Sequence, residues 1–164
     1  MSVHTVSAAK PAHTAVAAAR ARLQRGSLAA LVLVVAEYLI GTYVNLYVTV
    51  PAADRGRSLT AAISAGPALL SAHAVVGLLL GLAGLGVLVQ SIMARHRTVV
   101  ALSAAGLLAL AFASVAGAGF VRTGDTSASM AMSVLTGIAL LCYAVNIYVL
   151  GRPAGAGQQP DNSH

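Results

Sequence analysis

Tryptophan is absent from this chain, cysteine occurs once, acidic residues number four, and aromatic residues make up only 4%. Each shortage excludes something. Without a second cysteine, no disulfide and no cysteine-based metal site can form within one chain. Cys142, set inside an apolar stretch, reads as a small buried residue rather than a reactive thiol. Without tryptophan the usual indole belt at a membrane boundary is missing, and Tyr38, Tyr43, Tyr47, Tyr143 and Tyr148 are left to supply interfacial rings. Charged residues amount to 9%, against roughly 25% for a soluble globular domain. Chemical motifs are missing too. The chain has no glycine-rich phosphate loop ending in lysine and a hydroxyl residue, no H-E-x-x-H and no G-x-S-x-G. Hydrolytic and group-transfer chemistry therefore find no support in it.

What the chain has is apolar length. Of its 164 residues 58% are hydrophobic, and the mean hydropathy is +0.83. Four apolar stretches stand out, at about 28–50, 68–93, 99–121 and 127–150. The first stops at Pro51, and the second follows Gly66 and Pro67. Each exceeds the roughly 20 residues that a helix needs to cross the hydrocarbon core. Backbone groups in lipid must be satisfied within their own segment, so long apolar runs of this kind are helices. Connections as short as 94–98 and 122–126 force neighbours antiparallel. The prediction is an all-α transmembrane four-helix bundle running up, down, up and down. A signal peptide is the rival for the first stretch, but its apolar run is too long and contains Glu37.

The bundle so predicted occupies residues 27–151. Residues 1–26 read as a basic cytoplasmic tail, in which 14–24 form at most a weakly anchored surface helix. Residues 152–164, rich in Gly, Pro, Gln and Asn, read as a disordered cytoplasmic end. The outer loop, 51–67, has length enough for a short helix or a flap.

The formal net charge is +6, but the basic residues form no nucleic-acid patch. Lys10, Arg20, Arg22, Arg25, Arg95, Arg97 and Arg152 fall on one side of the predicted membrane, and Arg55, Arg57 and Arg122 on the other. The larger group belongs in the cytoplasm by the positive-inside rule, so both termini are expected there, in a bacterial inner membrane. The Ala-rich, Gly-rich, arginine-over-lysine composition fits a high-GC bacterial source.

Glu37 is the residue that most needs explaining. A carboxylate within a membrane helix costs several kcal/mol and usually finds a partner inside the bundle. Helical spacing puts Glu37, Gly41, Asn45 and Thr49 on one stripe of the first span, and His73, Gly77, Gly81 and Gly84 on one stripe of the second. Ser103, Gly106, Leu110, Ser114 and Gly117 form the corresponding face of the third. Small residues at such spacing let membrane helices approach closely. Counting depth at roughly 1.5 Å per residue from the outer ends places Asn45, His73, Ser114 and Met132 or Ser133 in one outer layer. Glu37 then falls about two turns deeper, near Gly81 and near Cys142 or Tyr143.

Three readings of this polar layer stand side by side. In the first, Asn45 and His73 bond across helices and a neutral Glu37 bonds to Tyr143 or a carbonyl, burial favouring the protonated acid. In the second, His73 is an axial ligand of haem, with Met132 or Met130 opposite. In the third, Glu37, Tyr143, Asn45 and His73 line a proton or small-ligand site open to the outside.

Glu37-Tyr38-Leu39-Ile40-Gly41, then Val44-Asn45-Leu46-Tyr47 and Pro51, then His73-Ala74-Val75-Val76-Gly77, form a distinctive series. It continues in Gly117-Ala118-Gly119-Phe120, in Ser127, Ser129, Met130 and Met132, and in the segment from Tyr143 to Tyr148. Over about residues 30–150 the combination resembles a group of small four-span membrane proteins common in actinobacteria. That resemblance implies the fold and no particular activity. More distantly, an apolar helix ending in a polar turn, followed by a helix that opens with histidine, is similar to one half of haem A synthase. This second resemblance implies haem between helices of a four-helix unit. His73 matches one ligand, while Met130 or Met132 stands where the family has its second histidine. The expectation taken forward is a non-enzymatic accessory or interaction protein, in contact with the lipid bilayer and with a second copy or a larger complex. A haem or small-ligand binder centred on His73 is the alternative.

Overall fold

Length and composition make each of the four stretches helical, and the two connections between described neighbours are built from local capping bonds. The computed structural model describes residues 9–47 and 68–152. Among them lie four α-helices and no strand: α1 (Ala9–Tyr47), α2 (Ala68–Met93), α3 (Arg97–Thr123) and α4 (Thr126–Gly151). All four are long and apolar enough to cross a membrane. The expected stretch 68–93 coincides with α2, and the third and fourth helices run one or two residues past each expected end. Residues 48–50 of the first predicted span and the outer loop 51–67 lie outside the described residues, as do 1–8 and the C-terminal end from 153.

The start of α1 corrects the sequence reading. A separate basic tail was expected up to residue 26, yet α1 is one helix of 39 residues beginning at Ala9. Two causes account for this. Alanine, arginine, leucine and glutamine are strong helix formers, and Pro11 falls in the first turn, where a missing N–H costs nothing. The segment also has somewhere to pack. Leu23 is buried with Val99 and Leu150 in a small apolar cluster at the end of the bundle where α4 finishes. At roughly 1.5 Å per residue, α1 is about 58 Å long, nearly twice the hydrocarbon thickness of about 30 Å. Arg20 and Gln24 reach the end of α4 at Leu150 and Gly151, so the first turns of α1 project beyond the bundle.

Each helix packs on its neighbours in the chain, and α1 closes the ring against α4; the α3–α4 seam is the most extensive. This is the expected up-down-up-down bundle. Between α2 and α3, Arg95 takes the left-handed conformation at φ 53. Bonds from Arg95 N to Ile92 O and from His96 N to Ser91 O end α2 there. Between α3 and α4, Gly124 is left-handed at φ 71 and donates to Phe120 O. Asp125 then caps α4, its Oδ1 accepting from Ser127 N at 2.9 Å. Hydrogen bonding from the Ser127 backbone N–H, and next from its side chain, holds the Asp125 carboxyl below its usual range.

The main core runs down the bundle axis through Ala30 and Val34 of α1, Leu80 and Val87 of α2, Ala109 and Leu110 of α3, and Ala139 and Tyr143 of α4. Leu39, Leu78, Phe112 and Leu141 are among many large apolar side chains turned outward on all four helices. In water such a surface would aggregate; against lipid chains it is the ordinary exterior.

Candidate functional site

Glycine makes the central site possible. A Cβ on Gly41 would fall 2.9 Å from His73 Cε1, and one on Gly77 would fall 2.8 Å from Glu37 Oε1. Side chains at either position would occupy space that the imidazole and carboxylate now fill. In that space His73 Nδ1 of α2 lies 3.0 Å from Glu37 Oε1 of α1, with side-chain exposures of 23% and 14%. The contact is short but not well directed. His73 Nδ1 makes no hydrogen bond of good geometry, and Glu37 Oε2 has none either. Glu37 thus has the partner inside the bundle that its position demands, and the partner is a titratable one.

This arrangement differs from the depth count by one turn. Asn45 was placed level with His73, but it is Gly41 that meets the imidazole. The four residues between them correspond to about 6 Å of helix rise. Counting from helix ends assumes that all outer ends lie at one height, and α1 and α2 do not meet in that register. The same shift moves Glu37 up to Gly77 rather than Gly81. Tyr143 is not its neighbour: the phenolic oxygen lies against Gly84, and the ring packs on Gly106. Gly84 is seven residues down α2 from Gly77, or about 10 Å.

The other residues of the expected layer are dispersed. Asn45 Oδ1 accepts from Ser129 Oγ of α4 at 3.0 Å, joining α1 to α4 instead of to α2. Ser114 is exposed and turns its hydroxyl onto Leu110 O of its own helix at 2.9 Å. Ser133, also exposed, does the same with Ser129 O. Met132 packs its sulfur beside Gly117 at the α3–α4 seam, and Met130 is 72% exposed on the bundle exterior. Cys142, a free cysteine, sets its β-carbon against Gly106.

These positions do not fit haem held between His73 and a methionine. Met130 points out of the bundle. Met132 belongs to the seam with α3, while His73 is directed at α1. The edge of the imidazole carrying Nδ1 and Cε1 is packed against Glu37 and the backbone of α1 at Gly41, where the two helices come close enough that even a methyl group would be crowded. Among the residues described, no cluster of three His, Cys, Asp or Glu side chains could hold a metal ion.

Two contacts escaped the sequence reading. Arg20 of α1 donates through Nε to Leu150 O at 2.6 Å and also reaches Arg152 O. It therefore supplies both hydrogen bonds and positive charge to the carbonyl end of α4. Asn146 Nδ2 of α4 donates to Ser103 Oγ of α3 at 3.0 Å, with both residues buried. A usable signal was present for the first. The spacing Arg20, Leu23, Ser27, Ala30, Val34 continues the interior stripe of α1 upstream of its apolar run. No family model matches the chain, and neither a curated protein nor a solved structure shows significant similarity to it.

Proposed function

We propose that this four-span protein is a non-enzymatic accessory component of a bacterial inner membrane, with both ends cytoplasmic, acting through association with a second copy or a larger membrane complex. One observation carries the reading. The cross-helix polar contacts are shared out among the seams: Glu37–His73 between α1 and α2, Asn45–Ser129 between α1 and α4, Asn146–Ser103 between α3 and α4. Glu37, His73 and Asn45, which offered themselves for chemistry, each meet a polar group of a neighbouring helix instead. Interhelical bonds of this kind contribute on the order of 1 kcal/mol each in a membrane, which suits a scaffold.

A docking face is then sought among glycines that the bundle itself does not use. Gly81, Gly86 and Gly137 have open space where a Cβ would stand, unlike Gly77. In-membrane cross-linking of Gly81→Leu and Gly137→Leu variants tests the reading. Association is expected to fall in at least one variant while thermal unfolding stays as in the wild type. Undiminished association in both, or a protein that is monomeric and partnerless at the outset, would refute it.

A second reading has its own observation. Glu37 Oε2 lacks a hydrogen-bond partner, so the pair retains an acceptor for a small cationic ligand. Methylammonium is a suitable probe: it should raise the melting temperature of the wild type and leave Glu37→Gln unmoved. The haem alternative is read from a visible spectrum of protein purified from a haem-replete host. A flat spectrum is expected on the geometry above. A Soret band that disappears in His73→Ala would restore haem.

A further inference from the structure

The inner half of the bundle contains a second set of buried polar groups that no clasp accounts for. Ser27 of α1 and Tyr143 and Asn146 of α4 all have 0% exposure. Ser27 Oγ, the Tyr143 hydroxyl and Asn146 Oδ1 each lack a hydrogen-bond partner. They lie close in depth. Gly26 packs on Val87 of α2, and the Tyr143 hydroxyl lies at Gly84, three residues nearer the outer side. Asn146 is three residues inward of Tyr143 on the same face of α4. Helix rise puts the three residues within roughly a turn or two of one another in depth. The region is closed at both ends, by Leu23, Val99 and Leu150 below and by Val34, Leu80 and Ala139 above.

We propose that this closed region is a binding site for one or two ordered waters, held between Ser27, Tyr143 and Asn146. A buried polar atom without a partner is strongly disfavoured, more so in hydrocarbon, where no bulk water is available. A water is retained in an interior when two to four polar groups surround it, and three buried, unpartnered ones lie at this depth. Their hydrogen-bonding capacities match. Asn146 Nδ2 is already given to Ser103 Oγ, which leaves Oδ1 as an acceptor for a water hydrogen. The two hydroxyls donate or accept as required. Room for the phenol is provided by Gly84 and Gly106, since a Cβ on the first would stand 2.5 Å from the Tyr143 oxygen. The site is distinct from Glu37–His73: the apolar layer of Val34 and Leu80 separates them.

The test is water-edited solid-state NMR on the full chain in lipid bilayers. Magnetisation should pass from water to the Asn146 side-chain amide and the Tyr143 ring several-fold faster than to the Val34 and Leu80 methyls. Transfer to the Tyr143 ring should fall towards the methyl level in Asn146→Leu. If that variant does not fold, Tyr143→Phe, which keeps the ring, should show the same loss at Asn146. Build-up in the wild type no faster than at the Leu80 methyls would overturn the proposal and mean that the hydroxyls turn onto helix carbonyls. Rapid transfer that survives in Tyr143→Phe and Ser27→Ala alike would also overturn it, because the waters would then be held by other groups.

Discussion

Gly77 and Gly81 stand one turn apart on α2 and look equivalent as a G-x-x-x-G pair, yet the structure gives them opposite roles. A Cβ at Gly77 would meet the Glu37 carboxylate at 2.8 Å, while Gly81 has nothing within 4 Å. Gly77→Ala is expected to displace the carboxylate from His73 and to destabilise by about 1–3 kcal/mol, the usual cost of overpacking. Gly81→Ala should be neutral or stabilising by up to about 1 kcal/mol, since alanine is the better helix former. Unfolding of the two variants in mixed micelles reads the difference directly. Helical spacing was enough to place Glu37, Gly41, His73 and Gly77 on facing stripes. It was not enough to pair them, because pairing needs the relative height of two helices, and a one-turn slip exchanges Asn45 for Gly41 beside the imidazole. Ser114 illustrates a different limit. It is exposed, and a serine in a membrane helix can satisfy itself on its own backbone four residues back, as this one does.

At the scale of the element, apolar length located the second, third and fourth spans to within two residues at each end, and it missed only the part of α1 that is not apolar. The N-terminal part of α1 has the composition of a basic tail, and only its propensity and the spacing of Leu23 and Ser27 marked it as helix. Arg20 ties that part to α4 by bonding the exposed carbonyls at the helix end. At the other end of α4, Asp125 caps the first turn, and its carboxyl is held below the usual range by the hydrogen bonds from Ser127. The sign of the pH dependence follows. A folded-state value below the unfolded one means that the cap stabilises fully above the ordinary carboxylate range and fades as pH falls through the lowered value. The protection factor of the Ser127 amide, its exchange referred to the intrinsic rate at each pH, should therefore fall on acidification below that range. In Asp125→Asn, which keeps the capping oxygen without the charge, the protection should be independent of pH over the same interval.

For the whole molecule, the bundle order and the outward apolar surface give a four-span protein, and charge distribution sets its expected direction. The N-terminal turns of α1 project at the end occupied by Arg20, Arg95, Arg97 and Arg152, the end that the proposed orientation puts in the cytoplasm. Single cysteines placed in a Cys142→Ala background test this with a membrane-impermeant maleimide. Val16→Cys, exposed on the projecting turns, should label only after permeabilisation, and Ser127→Cys at the start of α4 should label in intact cells. The reverse pattern would invert the protein in the membrane without altering its fold. Function was least legible of all. The polar residues that draw attention in the sequence are divided among three seams, so no single cluster declares a reaction.

The central claim is that Glu37 is tolerated within the membrane because His73 holds it there. A double-mutant cycle measures this most directly, with Glu37→Ala, His73→Ala and the double variant unfolded reversibly in mixed micelles. Each single change is expected to cost about 1–3 kcal/mol, because it leaves a buried polar partner unsatisfied. The double variant should cost less than the sum, by about 1 kcal/mol or more. Costs that add to within about 0.5 kcal/mol would mean that the two side chains are neighbours without being partners, and the account of Glu37 would fail.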